Sequence, residues 1–344
     1  MLMAPDAAPR ISVIIGAFSR QRYLLDAVAS VVGQTVPRRD VEILVTKNFR
    51  SPEIDSVLDA QGIRSRFDEE PRIGRWWLNA IRGTRAPLIA FLDDDDQFEP
   101  DRLARVLEVF AAHPHVGYYR NRISVIDEQG KGVPMDRWAP HQIDEALDHG
   151  GPIEVAPDEK VLRLPELRGF RGAFNNSTIV IRRELISDRL AARMEEMAAV
   201  DKFYFAAGVL SVYALHFDDR RSTRYREHPH AAGWGIRTLR DGVLDAHRLA
   251  DLCRESGMLE YAASFDLSAR YIEKSLYART IREMIVTGST RRKLARMAGS
   301  YLRFLSNYPR WGSGDAEARR GIAEALTGVL SPSLAQRWES RIGA

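Results

Sequence analysis

Leu88-Ile89-Ala90-Phe91-Leu92-Asp93-Asp94-Asp95-Asp96 is the stretch on which the fold reading turns. The apolar run suits a short strand buried on both faces of a parallel sheet. Four carboxylates then follow without a break. Like charges this close repel, and a strand end gains nothing from them. Upstream, Ile11-Ser12-Val13-Ile14-Ile15 and Val41-Glu42-Ile43-Leu44-Val45 read as two further buried strands. Between them, from Arg20 to Val32, apolar residues recur at helical spacing (Leu24, Leu25, Val28, Val31, Val32). Strand, helix, strand in this order is a βαβ unit with parallel strands. Ile54 to Asp59 and Trp76 to Arg82 read as short helices, which makes Leu88–Leu92 the third strand. After Pro100, Arg102 to Ala112 is an amphipathic helix with Leu103, Val106, Leu107 and Phe110 on one side.

The middle is less regular. Val116 to Ile126 has strand character, and Gly130 to Pro165 reads as loop with little regular structure. Ser177 to Ile181 is a strand, Arg183 starts a helix, Tyr204 to Leu210 is helical, and Val212 to Phe217 has strand character. Strand signals stop near Gly233-Trp234-Gly235, and helical periodicity runs from there to Ala344. The expected fold class is therefore α/β with a mostly parallel central sheet, residues 1–235, followed by a helical C-terminal region, 236–344. Within the first part, about 10–100 and about 101–235 form two halves.

The 344 residues are 45% hydrophobic and 28% charged, as expected of a globular chain with a real core. No stretch is long and apolar enough to span a bilayer, and Met1–Pro9 lacks a secretory pattern. A single cysteine, Cys253, excludes an internal disulfide framework. The expectation is a cytoplasmic enzyme. A net charge of +3 is too mild to argue for nucleic acid. Basic clusters such as Arg291-Arg292-Lys293 and Arg319-Arg320 read as solvated helix faces or as a peripheral contact with anionic membrane lipid.

A carboxylate cluster at a strand end makes chemical sense as a divalent-cation site. Hard cations prefer carboxylate oxygens, and Mg²⁺ is usually held by one or two carboxylates together with substrate phosphates. Open α/β sheets bind ligands beyond the carboxyl ends of their strands, where the run sits. In order and spacing, Ile11–Ile15, Gln34-Thr35, Glu42–Val45, Phe91–Asp96 and Pro100 resemble the inverting family 2 glycosyltransferases of GT-A fold, over roughly residues 10 to 230. The resemblance implies a metal-dependent, hexosyltransferase-type enzyme using Mn²⁺ or Mg²⁺. It would move a sugar from a nucleoside diphosphate to a hydroxyl of a saccharide, a lipid-linked or a small-molecule acceptor, with about 10–100 as the nucleotide-sugar half and about 101–235 as the acceptor half.

Carried onto this chain, the resemblance makes Asp93 the nucleotide contact and Asp95 the metal ligand, with Asp96 supporting it and Asp94 at the variable position of the motif. Asp201 takes the place of the general base, with Glu195 and Glu196 as rivals. Arg226 and His228 fall where basic side chains reach the diphosphate or metal. Phe174, Asn175 and Asn176 fall beside the acceptor. Gly16, Ala17, Phe18, Lys47 and Asn48 line the nucleotide corner, with Trp76 and Trp77 nearby.

Two departures stand out. Gly16-Ala17-Phe18-Ser19 replaces the usual Pro-Thr-Tyr-Asn, and Lys47-Asn48-Phe49-Arg50 replaces Asp-Asp-Gly-Ser. An ammonium cannot accept the N–H of uracil, so UDP, GDP and dTDP sugars all stay open. A nucleotidyltransferase and a non-catalytic sugar-nucleotide-binding protein are the rival readings. The helical tail packs on the first domain, pairs two chains as a homodimer, or lies on a membrane.

Overall fold

A computed structural model describes residues 8–134, 150–163, 175–228, 236–307 and 323. The chain forms two compact units, one of residues 1–231 with 252–261, the other of 232–251 with 262–344.

The first unit is built on one mixed sheet. Its strands are β1 (Ile11–Ala17), β2 (Val41–Lys47), β3 (Arg64–Phe67), β4 (Leu88–Asp93), β5 (Gln97–Phe98), β6 (Val116–Ile126), β7 (Gly132–Val133), β8 (Ile153–Val155), β9 (Ile179–Arg182) and β10 (Ala214–Arg226). The order across the sheet is β3-β2-β1-β4-β9-β6-β10-β5, with β7 on β6 and β8 on β10. β3, β2, β1 and β4 are mutually parallel. β9 is antiparallel to both β4 and β6, and β10 runs parallel to β6. The helices are α1 (Leu24–Val32), α2 (Pro52–Ala60), α3 (Ile73–Arg82), α4 (Arg102–Ala112), α5 (Asp188–Met194) and α6 (Asp201–Leu210).

Both faces of β1 and β4 are buried, which explains their unbroken apolar runs. Ile11, Val13 and Ile15 join Leu24, Val28, Val31, Leu103 and Val106 in one core. Phe91 faces the other way. It stacks on Tyr204 with ring centroids 4.1 Å apart and meets Trp77 edge-on at 5.7 Å. That second core ties α6 to the strand carrying the acidic run.

Local chemistry sets the helix ends. Ser51 caps α2 by accepting the Ile54 N–H, with Pro52 in the first turn. At α4, the Leu103 N–H donates to Gln34 Oε1 (2.8 Å), while Gln34 Nε2 donates to Glu99 O (2.7 Å). Gln34 therefore splices the end of α1 to the start of α4. At the other end of α6, buried Lys160 Nζ donates to the carbonyls of Gly208, Val209 and Ser211. A cation there suits the negative end of the helix dipole, although burial pulls the Lys160 ammonium down to about 8.

Several elements differ from the sequence reading. β3 was invisible to pattern because it is Arg-Ser-Arg-Phe, half exposed, and held by pairing to β2. Leu88–Asp93 is therefore the fourth strand, not the third. β10 extends nine residues beyond Phe217 through a charged stretch, its register shifting at Asp218 and Arg221. Gly130–Pro165 is not structureless, since β7 and β8 lie in it; 135–149 and 164–165 fall outside the described residues.

The second unit holds α8 (Leu259–Val286) and α9 (Arg291–Asn307) from Ala262 on, and most of α7 (Ile236–Glu255). α8 ends at Val286, and Gly288 just beyond it takes a φ of 71° that only glycine adopts cheaply. The chain then reverses, and Ile281, Ile285, Leu294, Ala298, Tyr301 and Phe304 form the hairpin's core. Along α8, Ala278 is buried, whereas Leu267 and Tyr271 are exposed. No described helix is long and apolar enough to cross a membrane.

Gly74 in α3 generates a test. A Cβ there would lie 1.8 Å from the Met194 carbonyl oxygen, in the segment leading to Asp201. The obstacle is backbone, which yields less easily than a side-chain tip. Gly74→Ala should destabilise the chain by about 1–3 kcal/mol, read as a lower denaturant midpoint. An unchanged midpoint would mean that α3 does not clamp this segment.

Candidate functional site

β1 and β4 are neighbours, so Gly16 pairs with Asp93 and the Asp94 N–H donates to Gly16 O (3.1 Å). The chain leaves β1 toward α1 on one side and reaches β4 from the other. This reversal opens a crevice at the strand ends, the usual ligand position in such sheets. The four aspartates sit in it.

Each carboxylate has different company. Asp93 accepts from Asn176 Nδ2 (2.9 Å), and its own N–H donates to Ser177 Oγ (3.0 Å). Asp94 pairs with Arg20 at 2.6 Å. Asp95 meets Arg20 at 2.5 Å and His228 Nε2 at 3.0 Å on the same oxygen. Asp96 is buried and accepts from Asn175 Nδ2 (2.8 Å), Ser177 Oγ (2.6 Å) and the Arg226 N–H (3.0 Å). Asp93, Asp95 and Asp96 each offer an oxygen, and these atoms lie within 4.8 Å of one another. An all-oxygen cluster of this size fits a hard divalent cation such as Mg²⁺ or Mn²⁺.

The electrostatics match the crowding. Burial, then the Asp95 charge, push Asp93 up to about 7 against the pull of the Asn176 amide. Burial also pushes Asp94 up to about 7, although Arg20 opposes it. Asp96 is held well above the usual carboxylate range, by burial first and then by Asp95 and Asp93. Burial works against the Arg20 charge, but Asp95 and Asp94 overcome it and hold the guanidinium above its ordinary value.

Asp201 opens α6, the helix whose Tyr204 stacks on Phe91. Its Oδ1 accepts the Lys202 N–H (2.8 Å). Burial raises its pKa against the nearby Lys202 charge. Its charge is felt at Asp93, so it belongs to the same electrostatic neighbourhood. Glu195 instead faces Arg75 and Arg82 (3.9 and 3.7 Å).

Other sequence-predicted residues have tasks the sequence did not reveal. The buried Arg226 guanidinium donates to the carbonyls of Asp95, Asp127 and Glu128, pairs with Asp26 and lies over the Tyr23 ring. It braces the loop after the acidic run. The Asn175 and Asn176 amide donors go to the acidic run; among the described residues their buried Oδ1 atoms have no hydrogen-bond partner. Gly16 leaves room for Trp77, whose ring would lie 2.5 Å from a Cβ there. Ala17 is buried, and Phe18 stands half exposed, edge-on to Trp76 at 5.7 Å. Lys47 is buried and pairs with Asp55 (2.8 Å). Asn48 exchanges two hydrogen bonds with Ser19, which takes a φ of 63°. Phe174 lies outside the described residues.

Sequence reasoning missed Arg20 and Ser177 as members of this cluster. Arg20 was findable, because the loop after one strand must lie beside the loop after its parallel neighbour. Ser177 was hidden because it had been read as the first residue of a strand, whereas Asn176–Thr178 form a 3₁₀ turn before β9.

Comparison with known proteins follows the same lines. Residues 12–157 match the model of Glycosyl transferase family 2. An uncharacterized glycosyltransferase of Nostoc sp., alr2836, is 30% identical over 130 residues, 36% of this chain and 39% of the relative; the match spans about two-fifths of that relative's length. Among solved structures, residues 1–349 of TarS from S. aureus superpose with a TM-score of 0.54 at 12% identity, covering 93% of this chain and 90% of that one. The same TarS fragment in complex with UDP-GlcNAc gives 0.51 at 13% identity, over 93% and 91% of the two chains. The mannosyltransferase PcManGT of Pyrobaculum calidifontis, in complex with GDP-Man and Mn²⁺, gives 0.53 at 16% identity, over 96% and 89%. At these identities the structural likeness speaks for the fold, and the family match speaks for the segment bearing the acidic run. Residues 12–157, which carry the acidic run, thus match Glycosyl transferase family 2, and the α/β sheet has the fold seen in the TarS and PcManGT structures.

Proposed function

We propose that the chain transfers a sugar from a nucleoside-diphosphate sugar to an acceptor hydroxyl, with inversion at the anomeric carbon and Asp201 as general base. The observation that carries this reading is the convergence of Asp93, Asp95 and Asp96 in the β1/β4 crevice with Asp201 in reach of their field. The nucleotide sugars in the TarS and PcManGT structures support the donor class.

Asp95 and His228, backed by Asp96, would hold a Mn²⁺ or Mg²⁺ ion. When bound, the ion supplies positive charge for the departing diphosphate. The residues of the chain do the rest. Asp93 contacts the nucleotide, with Phe18, Asn48 and the backbone of Gly16 and Ala17 at the same rim. Arg20, freed from Asp95, turns to the diphosphate. Arg226 serves by bracing Asp95 and Asp96 rather than by touching the donor. Asn175 and Asn176 hold the carboxylates in place and leave their amide oxygens for the acceptor side. Asp201 takes the acceptor's proton as its oxygen bonds to the anomeric carbon. The bond to the diphosphate breaks on the opposite face, so configuration inverts and no covalent enzyme intermediate forms. The acceptor is a hydroxyl of a saccharide, lipid-linked or small molecule.

The decisive experiment screens UDP, GDP and dTDP sugars with Mn²⁺ or Mg²⁺ for nucleoside-diphosphate release. With an active donor in hand, Asp95→Asn should keep the melting temperature near wild type and cut metal-dependent turnover about a hundredfold or more. Unchanged turnover would remove Asp95 from the metal site.

Asp201→Asn should bind donor as wild type and lose about 10²–10⁴-fold in transfer. Full transfer by this variant would move the base elsewhere, and Glu195 would be examined next.

The raised carboxylates give a pH test. Asp93 and Asp94 bind protons in the folded, ion-free chain up to about pH 7 and in the unfolded chain only to the ordinary carboxylate range. Their contribution to stability is thus full at low pH and is lost as pH rises through 7. Ion-free protein should melt lower at pH 8 than at pH 6. Mn²⁺ should bind more tightly at pH 8, releasing protons measurable by titration calorimetry in buffers of different ionisation enthalpy. Equal Mn²⁺ affinity at both pH values would contradict a partly protonated cluster.

A further inference from the structure

A second cluster of metal-type side chains lies at the opposite end of the sheet. His113 and His115 flank Pro114 in the lead into β6, Glu154 is the middle residue of β8, and His216 is near the start of β10. Glu154 and His216 are direct cross-strand partners, so their side chains share one face. His113 Nδ1 lies 3.0 Å from Glu154 Oε2, His115 Nε2 lies 2.5 Å from Oε1, and His216 Nδ1 lies 3.7 Å from Oε2. The donor atoms of His113, His115 and Glu154 all fall within 4.8 Å of one another.

His216 supplies the independent observation. It is 3% exposed, its ring stacks on Tyr119 at 5.7 Å, and neither ring nitrogen has a hydrogen-bond partner among the described residues. A buried imidazole ordinarily finds one. Its Nδ1 instead faces Glu154 Oε2 at 3.7 Å, the oxygen that His113 also approaches. Around a tetrahedral ion with bonds of 2.0–2.1 Å, donors stand about 3.3 Å apart. Each of the three imidazoles already has a nitrogen 2.5–3.7 Å from a Glu154 oxygen, and His216 joins the compact group of the other three by a short side-chain movement.

We propose that His113, His115, Glu154 and His216 form a zinc-type metal site, separate from the acidic cluster and structural in purpose. Three imidazoles and one carboxylate favour Zn²⁺ over Mg²⁺ or Mn²⁺. The backbone is already fixed for the task. Arg182 donates to the carbonyls of Pro114 and Val116 (both 2.7 Å), and the Ala214 N–H donates to His115 O (2.8 Å). The ion would staple short β8 to the starts of β6 and β10. His216 and Arg226 are ten residues apart on β10, roughly 30 Å of extended strand, so the two clusters do not share ligands.

The test uses tag-free full-length protein, because an affinity tag of histidines would mask the result. After loading with Zn²⁺ and dialysis against a weak chelator, wild type should retain one zinc per chain by elemental analysis. Co²⁺ in its place should give the intense visible absorption of a tetrahedral complex. Asp95→Asn should retain both signals. His115→Ala, at an exposed position, should fold and lose about a hundredfold or more in Zn²⁺ affinity. His216→Gln should do the same, and His115→Ala decides alone if that variant fails to fold. Zinc content unchanged in His115→Ala, zinc lost in Asp95→Asn, or no zinc retained by wild type would each overturn the proposal.

Discussion

The constraint on which the first unit depends is the mutual repulsion of four carboxylates at one strand end. Left alone, like charges this close would force protonation or splay the loop. The chain meets them with donors from every side. Arg20 comes from the loop after β1, Asn175, Asn176 and Ser177 from the turn before β9, and the Arg226 backbone from the end of β10. Much of the sheet's topology can be read as the means of bringing those three segments together. The parallel neighbour β1 delivers Arg20, the antiparallel neighbour β9 delivers the amides, and β10 arrives two strands further on.

The neutralisation is uneven, and that unevenness sorts the four residues. Asp96 accepts three hydrogen bonds in a buried position, so it is anchored and its geometry fixed. Asp95 relies on two mobile-ended cationic or ionisable side chains, Arg20 and His228. A long side chain can swing away at little cost, whereas a backbone N–H cannot. The anchored carboxylate gives the cluster its shape, and the cation-paired one is the exchangeable position. Arg20 occupies in the ion-free chain the electrostatic role that a divalent ion would take over.

The parts of this arrangement differ in how plainly the sequence displays them. β1, β2, β4, α1 and α4 were legible because burial on both faces or on one stripe leaves an unbroken or periodic apolar pattern. β3 and the distal half of β10 were not, since their strand form rests on pairing rather than composition: Arg-Ser-Arg-Phe and Asp218–Arg226 carry mostly polar side chains. The acidic run was visible as an anomaly, but which partner each aspartate would find was not. Asn175 and Asn176 read as ligand-facing amides because exposed loop amides often are. Their donors turn inward because a buried carboxylate exerts a stronger pull than water. The bracing contacts of Arg226 were hidden for a similar reason, since a guanidinium near phosphate chemistry and one bracing a loop look alike in sequence. His113, His115, Glu154 and His216 were never considered together, because only the β8–β10 and β6–β10 registers unite them.

The nucleotide corner shows what geometry adds to a substitution read from sequence. Lys47, where an aspartate is usual among the relatives it resembles, looks like a reversal of charge that would repel an N–H donor. In the folded chain that charge does not reach the crevice. Lys47 is buried, its ammonium sits on Asp55 at 2.8 Å, and it also donates to Phe49 O. A buried pair is close to neutral at a distance, so the corner is defined by what remains at its surface. That is Asn48, held by its two hydrogen bonds with Ser19, and the half-exposed ring of Phe18 standing against Trp76. Both Asn48 hydrogen bonds lock the loop after β1 to the loop after β2, and an amide oxygen has a second lone pair to offer. What the corner presents at its surface is therefore a neutral amide and an aromatic edge. A site of that kind discriminates bases by shape and hydrogen-bond pattern, and the exchange of aspartate for lysine does not by itself exclude uracil.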